Sequence, residues 1–155
     1  MNMTKEVKES FDIVGIEVRT SNIDGQGIKD IGNLWNTFIC REVLKKIPFK
    51  TSDTIYALYT EYEGDHTKPY TTVIGCRVDK VISLPEGMVS KNIEEGTYLK
   101  STAKGNILQG LIGNHWNQIW SQNLDRKYKT DYEVYDDRAR DPANATVEFY
   151  IGVNN

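Results

Sequence analysis

The sequence predicts an α+β fold: one antiparallel sheet with two helices packed on one face, built about an approximate two-fold axis from a duplicated strand-helix-strand-strand unit. Three observations predict it. The pentapeptide GNLWN begins at Gly32 and the near-copy GNHWN at Gly113. Each lies in a stretch with helical spacing of apolar residues, and each is followed by two stretches that read as strands. Residues also correspond in order between the halves: Tyr56 and Tyr59 match Tyr132 and Tyr135, while Thr72, Ile74, Cys76 and Val78 match Val147, Phe149, Ile151 and Val153.

The elements follow in chain order. FDIVGIEVRT, from Phe11, alternates Val14, Ile16 and Val18 with Gly15, Glu17 and Arg19, the period of a strand with one buried face. DIGNLWNTFICREVLKKIP places Ile31, Leu34, Trp35, Phe38, Val43 and Ile47 near helical spacing, and Pro48 ends that helix. DTIYALYTEY and YTTVIGCRV then form a hairpin around the polar turn EGDHTKP. In the second half EEGTYLKSTAKG is a strand, and ILQGLIGNHWNQIWSQNL is a helix with Ile112, Trp116, Ile119 and Trp120 on one stripe. TDYEVYDD and ATVEFYIGV are the closing strands, joined by DRARDPAN.

A chain of 155 residues and 17.7 kDa has the size of one domain. We expect a single unit over 1–155, with repeats at approximately 11–79 and 88–153. Neither half, at about 75 residues, buries much core alone, so the two share one sheet. Such a sheet is expected to leave a groove where the halves meet, on the face the helices do not cover.

Composition narrows function. With 19 Lys+Arg against 22 Asp+Glu and a net charge of −3, the basic residues are scattered among carboxylates, so no direct nucleic-acid binding is expected. No apolar run reaches the roughly 20 residues of a membrane span, and MNMTKEVKESF lacks the apolar region of a secretion signal. A cytoplasmic protein with no membrane association is the expectation. Cys40 and Cys76 sit in separate apolar stretches and read as small buried thiols rather than a disulfide. His66 and His115 belong to no triad or metal-ligand spacing, and no phosphate-cradling glycine motif is present, so neither a metal nor a cofactor is expected.

Strand alternation supplies the candidate site. In ATVEFYIGV, Val147, Phe149 and Ile151 point toward the helices, which sends Glu148 and Tyr150 to the other face; in TDYEVYDD, Glu133 and Tyr135 share a face. If these strands pair, both carboxylates and both phenols are expected to converge on the open sheet surface. A carboxylate amid rings suits a cationic or donor-bearing group on an apolar body. The competing reading makes Glu133 and Glu148 solvated residues of an outer sheet face. Trp35 and Trp116 occupy equivalent helix positions, where they anchor the core or reach the groove rim, and Tyr56, Tyr59 and Tyr98 add to the phenolic lining.

The duplicated unit, the LWNTF helix, YTTVIGCRV, DYEVYDDR and the C-terminal VEFYIGV resemble the GyrI-like, or bacterial transcription-activator, effector-binding domain, from about Phe11 to Val153. The resemblance implies a tandem α+β fold that binds small, often cationic or amphipathic organic molecules, with an acidic residue in a second-half strand contacting the ligand among aromatics. Glu133, with Tyr135 beside it, is the position most like that acid, and Glu148 is the other family-typical glutamate; Tyr150, Trp35 and Trp116 complete the expected ligand-binding set. No helix-turn-helix precedes Phe11, so the chain resembles stand-alone members. The expectation is a binding module rather than an enzyme. The alternatives are a small-molecule hydrolase using a groove glutamate and a protein-binding inhibitor of the GyrI type with an unidentified partner.

Overall fold

The computed structural model describes all 155 residues. Its strands are β1 (Thr4–Lys8), β2 (Phe11–Thr20), β3 (Ile55–Thr60), β4 (Tyr70–Val78), β5 (Val89–Ile93), β6 (Gly96–Gly105), β7 (Arg126–Tyr135) and β8 (Ala145–Val153). The helices are α1 (Gln26–Cys40), the single turn α2 (Val43–Lys46) and α3 (Leu111–Trp120). All strands form one antiparallel sheet in the order β1-β6-β8-β7-β3-β4-β2-β5. The order reads outward symmetrically from the central β3–β7 pair, in which Ala57 and Glu133 stand directly opposite one another. The α+β class, the hairpins β3–β4 and β7–β8, and the helices on one face are as the sequence predicts.

One long helix was expected after Asp30, and the chain makes two. The break falls at Arg41 and Glu42, where Glu42 takes a left-handed conformation (φ 52°) and so cannot continue an α-helix. The strands β1 and β5 were not foreseen. Both are five residues long and largely polar (TKEVK and VSKNI), so neither shows the apolar alternation that marks a half-buried strand.

These short strands close the sheet. β1 pairs with β6 from Thr4↔Lys100 to Lys8↔Gly96, and β2 pairs with β5 from Phe11↔Ile93 to Gly15↔Val89. Two residues separate β1 from β2, and two separate β5 from β6, so the pairings are successive parts of one antiparallel ladder in constant register. The sheet therefore coils until its opposite sides are joined, and each of its faces carries a buried cluster.

The outward face carries the larger core. Leu34 and Phe38 of α1, Val43 of α2, and Trp116 and Ile119 of α3 pack on Val14, Ile74, Val147, Phe149 and Ile151. Each such side chain contributes about 1.5–3 kcal/mol by leaving water. The inward face holds Ile13, Leu58, Val73, Ile93, Tyr98, Tyr132 and Tyr150 in a second buried cluster. Where an open groove was expected, the centre of the helix-free face is thus filled by these side chains, because coiling brings them together. Cys76 is buried, and its thiol is pushed up to about 11 by burial. Cys40, at the end of α1, is exposed rather than buried, since its helix position points away from the sheet.

Candidate functional site

The register of β7 and β8 decides what the candidate residues do. Glu133 lies opposite Phe149, and Val134 opposite Glu148. Cross-strand partners share a face, so Glu133 joins Phe149 under the helices, and Glu148 joins Val134 on the inward face. The expected convergence of Glu133 and Glu148 is therefore overturned. A one-residue difference in register places the two carboxylates on opposite sides of the sheet. Tyr150 goes with Glu148, stacked on Tyr132 at 4.8 Å with Lys8 Nζ 4.9 Å from its ring centre. Glu148 itself accepts hydrogen bonds from Thr102 Oγ1 (2.6 Å) and Arg138 Nη1 (3.0 Å), so its charge is already matched.

Glu133 is different. Its side chain is 0% exposed, and three donors converge on it: Tyr59 OH (2.7 Å) and Trp116 Nε1 (2.6 Å) on Oε2, and Tyr135 OH (2.5 Å) on Oε1. No Lys, Arg or His lies in ion-pair contact with it. Burial raises its pKa above the usual carboxylate value, and the three hydrogen bonds pull against that rise. Burial next to this carboxylate also pushes the Tyr59 and Tyr135 phenols well above their ordinary value, so both remain donors at any physiological pH.

The donors come from matched places in the two halves. Tyr59 and Tyr135 sit two residues beyond Ala57 and Glu133 on the paired central strands, hence on the same face as those residues. Trp116 meets Tyr59 edge-on at 5.3 Å, and Trp35 meets Tyr135 edge-on at 4.9 Å. Two tryptophan–tyrosine pairs thus flank one carboxylate near the axis, while the equivalent position in the first half is the small Ala57. Four expected residues, Glu133, Tyr135, Trp35 and Trp116, are brought together; Glu148 and Tyr150 are not. Tyr59 belongs to the site with a direct bond to the acid. The sequence placed Tyr59 only in the general phenolic lining, and the signal that singles it out is its correspondence to Tyr135.

A cleft of about 320 Å³ opens elsewhere, at the far ends of β3 and β7, among Glu61, Tyr62, Asn92, Glu94, Tyr128 and Lys129. Glu133 does not line it. The space beside Glu133 is taken by the rings of Tyr59, Tyr135 and Trp116, the last only 8% exposed.

The helix that carries Trp116 is entered through two glycines. Gly105 (φ 149°) and Gly110 (φ 84°) bracket the 3-10 turn Ile107–Gln109, which buries none of its residues. Besides Trp116, α3 buries Ile119 and His115, whose Nε2 lies 2.8 Å from the buried Ser101 Oγ, and packs Leu111, Ile112 and Trp120 half-buried on the core. Burial lowers the His115 pKa, so the ring is neutral at pH 7.

Comparison with known proteins agrees with this architecture. Residues 6–153 match the family model of Cass2, the integron-associated effector binding protein. The chain is 24% identical over 143 residues to YobU of Bacillus subtilis, described as a candidate transcriptional regulator, covering 90% of this chain and 89% of that one. An integron cassette protein from the mobile metagenome of Vibrio cholerae superposes with a TM-score of 0.75 at 29% identity, over 98% of this chain and 95% of that one. SAV2435, solved bound to tetraphenylphosphonium, superposes with a TM-score of 0.77 at 18% identity, over 100% and 95%.

Proposed function

Since the chain belongs to the integron-associated effector-binding protein family, we propose that the effector is a lipophilic organic cation and that Glu133 is its counter-charge. The observation that carries this reading is a fully buried carboxylate held by three neutral donors and no cation. A buried charge without an opposite charge is costly. A monovalent cation supplies what the phenols and the indole do not, and the four surrounding rings offer it apolar area and cation–π attraction.

In this reading α3 swings on its glycine-flanked lead, Trp116 leaves Glu133, and the ligand takes the place of the indole. Tyr59 and Tyr135 stay on the sheet and keep the carboxylate aimed at the incoming charge. The protein acts as a receptor or sequestering module for such compounds and performs no chemistry on them. The tetraphenylphosphonium bound by SAV2435, a hydrophobic monocation, is of the class this site suits.

Titration of intrinsic tryptophan fluorescence with tetraphenylphosphonium tests the proposal, because the displaced indole is itself the reporter. Saturable binding is expected, and Glu133→Gln should weaken it by about 30-fold or more, the low end of the cost of leaving a buried charge unpaired. Equal affinity in the variant would refute the role of Glu133.

A further inference from the structure

The indole of Trp116 has a second charged neighbour that the cation-binding reading leaves unused. Arg126 opens β7, and its side chain is 4% exposed. A bulge between Arg126 and Asp131, with Tyr128 in a left-handed conformation (φ 54°), lets these two residues meet. Arg126 Nη2 lies 2.7 Å from Asp131 Oδ2. The guanidinium carbon stands 4.4 Å from the Tyr128 ring centre and 5.9 Å from that of Trp116. Arg126 Nε and Nη1 are buried and have no acceptor.

Asp131 cannot meet that need in its present arrangement, because it also accepts from Tyr62 OH (2.6 Å) and from the backbone N–H of Gly152 (2.9 Å). Aromatic faces accept hydrogen bonds only weakly, so two strong donors are left unmatched. Another unmatched polar atom, His66 Nδ1, is buried nearby, on a ring stacked against Trp120 at 4.9 Å. Trp120 in turn lies 6.5 Å from Trp116.

Trp116 is therefore bracketed, with a carboxylate at its N–H and a guanidinium facing its ring. A ligand that displaces the indole uncovers both. A plain hydrophobic cation answers Glu133 but leaves its own charge close to a guanidinium with unmet donors. A ligand whose far end carries an acceptor answers both groups. Building on the role proposed for Glu133, we infer that the site continues into an acceptor subsite at Arg126, so that the preferred ligand is an aromatic cation bearing a carbonyl-type acceptor across the ring from its positive charge. Arg126 is then the residue that sets ligand choice within the class.

The test compares two singly charged probes, phenyltrimethylammonium and its para-carboxamide derivative, by calorimetric titration. The carboxamide should bind the wild-type chain about ten-fold more tightly, the value of one hydrogen bond to a charged donor. In Arg126→Met/Asp131→Asn, which removes both members of the ion pair, the two probes should agree within about two-fold. Arg126→Lys keeps the charge but loses the planar fork, and should lose most of the preference; it decides the matter if the double variant does not fold. Equal affinities in the wild type, or a preference that survives in the variants, would overturn the Arg126 subsite. If both probes bind, lose affinity in Glu133→Gln and show no preference, the Arg126 subsite falls and the Glu133 site stands. If neither probe saturates, both fall.

Discussion

A carboxylate kept in a ring-lined interior is a liability to folding, and under the proposed function Glu133 is also the counter-charge of the ligand, so experiment can separate the two. Burial raises its folded pKa above the ordinary glutamate value of about 4.5. Above 4.5 the unfolded chain releases this proton more readily than the folded one, so the stability linked to it is present below 4.5 and is lost as pH rises through the folded value. At neutral pH Glu133→Gln should therefore melt at the same temperature as the wild type or higher, each 1 kcal/mol appearing as about 2–4 °C, while cation affinity drops. A variant that melted well below the wild type would show the acid to be a structural asset. His115 has the opposite sign. Burial lowers its pKa from 6.5, so the unfolded chain takes up a proton at higher pH than the folded one. The contribution is fully present above 6.5 and is lost as pH falls from there toward the folded value. Burial lowers the His66 pKa too, so it adds to the same acid loss. Melting curves between about pH 7.5 and 5.5 should show the loss, and His115→Gln, which can still hydrogen-bond to Ser101, should flatten it in part.

Among the elements, α3 is the one that the proposed binding mode sets in motion. Ten residues long and entered through a left-handed glycine, it rests on one indole, one imidazole and one isoleucine as its buried contacts. The longer α1 is also entered through a left-handed glycine, Gly25 (φ 73°), after an exposed 3-10 turn, but its fifteen residues lay Leu34 and Phe38 on the sheet and lead into α2, whose Val43 is buried as well. Amide hydrogen exchange should therefore run faster in α3 than in α1, reflecting lower local stability. Gly110→Ala probes the lead: at φ 84° a Cβ is strained, and the substitution should cost about 1 kcal/mol in denaturant unfolding. How much of this the sequence disclosed depends on the element. The half-buried strands and both main helices were legible from periodicity, because one face of each meets a core. The kink at Glu42, the bulge at Tyr128 and the strands β1 and β5 were not, since each is set by partners distant in sequence. The acid of the site was legible as a strand glutamate among aromatic residues. Which face it occupied was not, because alternation fixes faces within a strand and only the register between strands relates one to the next. The unmatched donors of Arg126 gave no sequence signal, since they follow from a bulge.

For the molecule as a whole, the close approach of β2 and β4 is the joint most sensitive to substitution. Gly15 and Gly75 are direct partners, and a Cβ on Gly15 would stand 2.0 Å from the Ile74 carbonyl oxygen, while one on Gly75 would stand 2.1 Å from that of Val14. Either Gly→Ala change forces these strands apart and should destabilise the fold by about 2–4 kcal/mol, measured by urea unfolding. The ladder that runs from Thr4 to Gly15 against Val89 to Lys100 has a colloidal consequence. Backbone left without a strand neighbour on one side comes in five-residue pieces: the outer flanks of β1 and β5, bearing Lys5, Glu6, Lys8 and Lys91, and the far halves of β2 (16–20) and β6 (101–105), bearing Glu17, Arg19 and Lys104. Short, charged borders make poor templates for a second chain. A fold bordered in this way can open locally in a crowded solution without seeding cross-β aggregates.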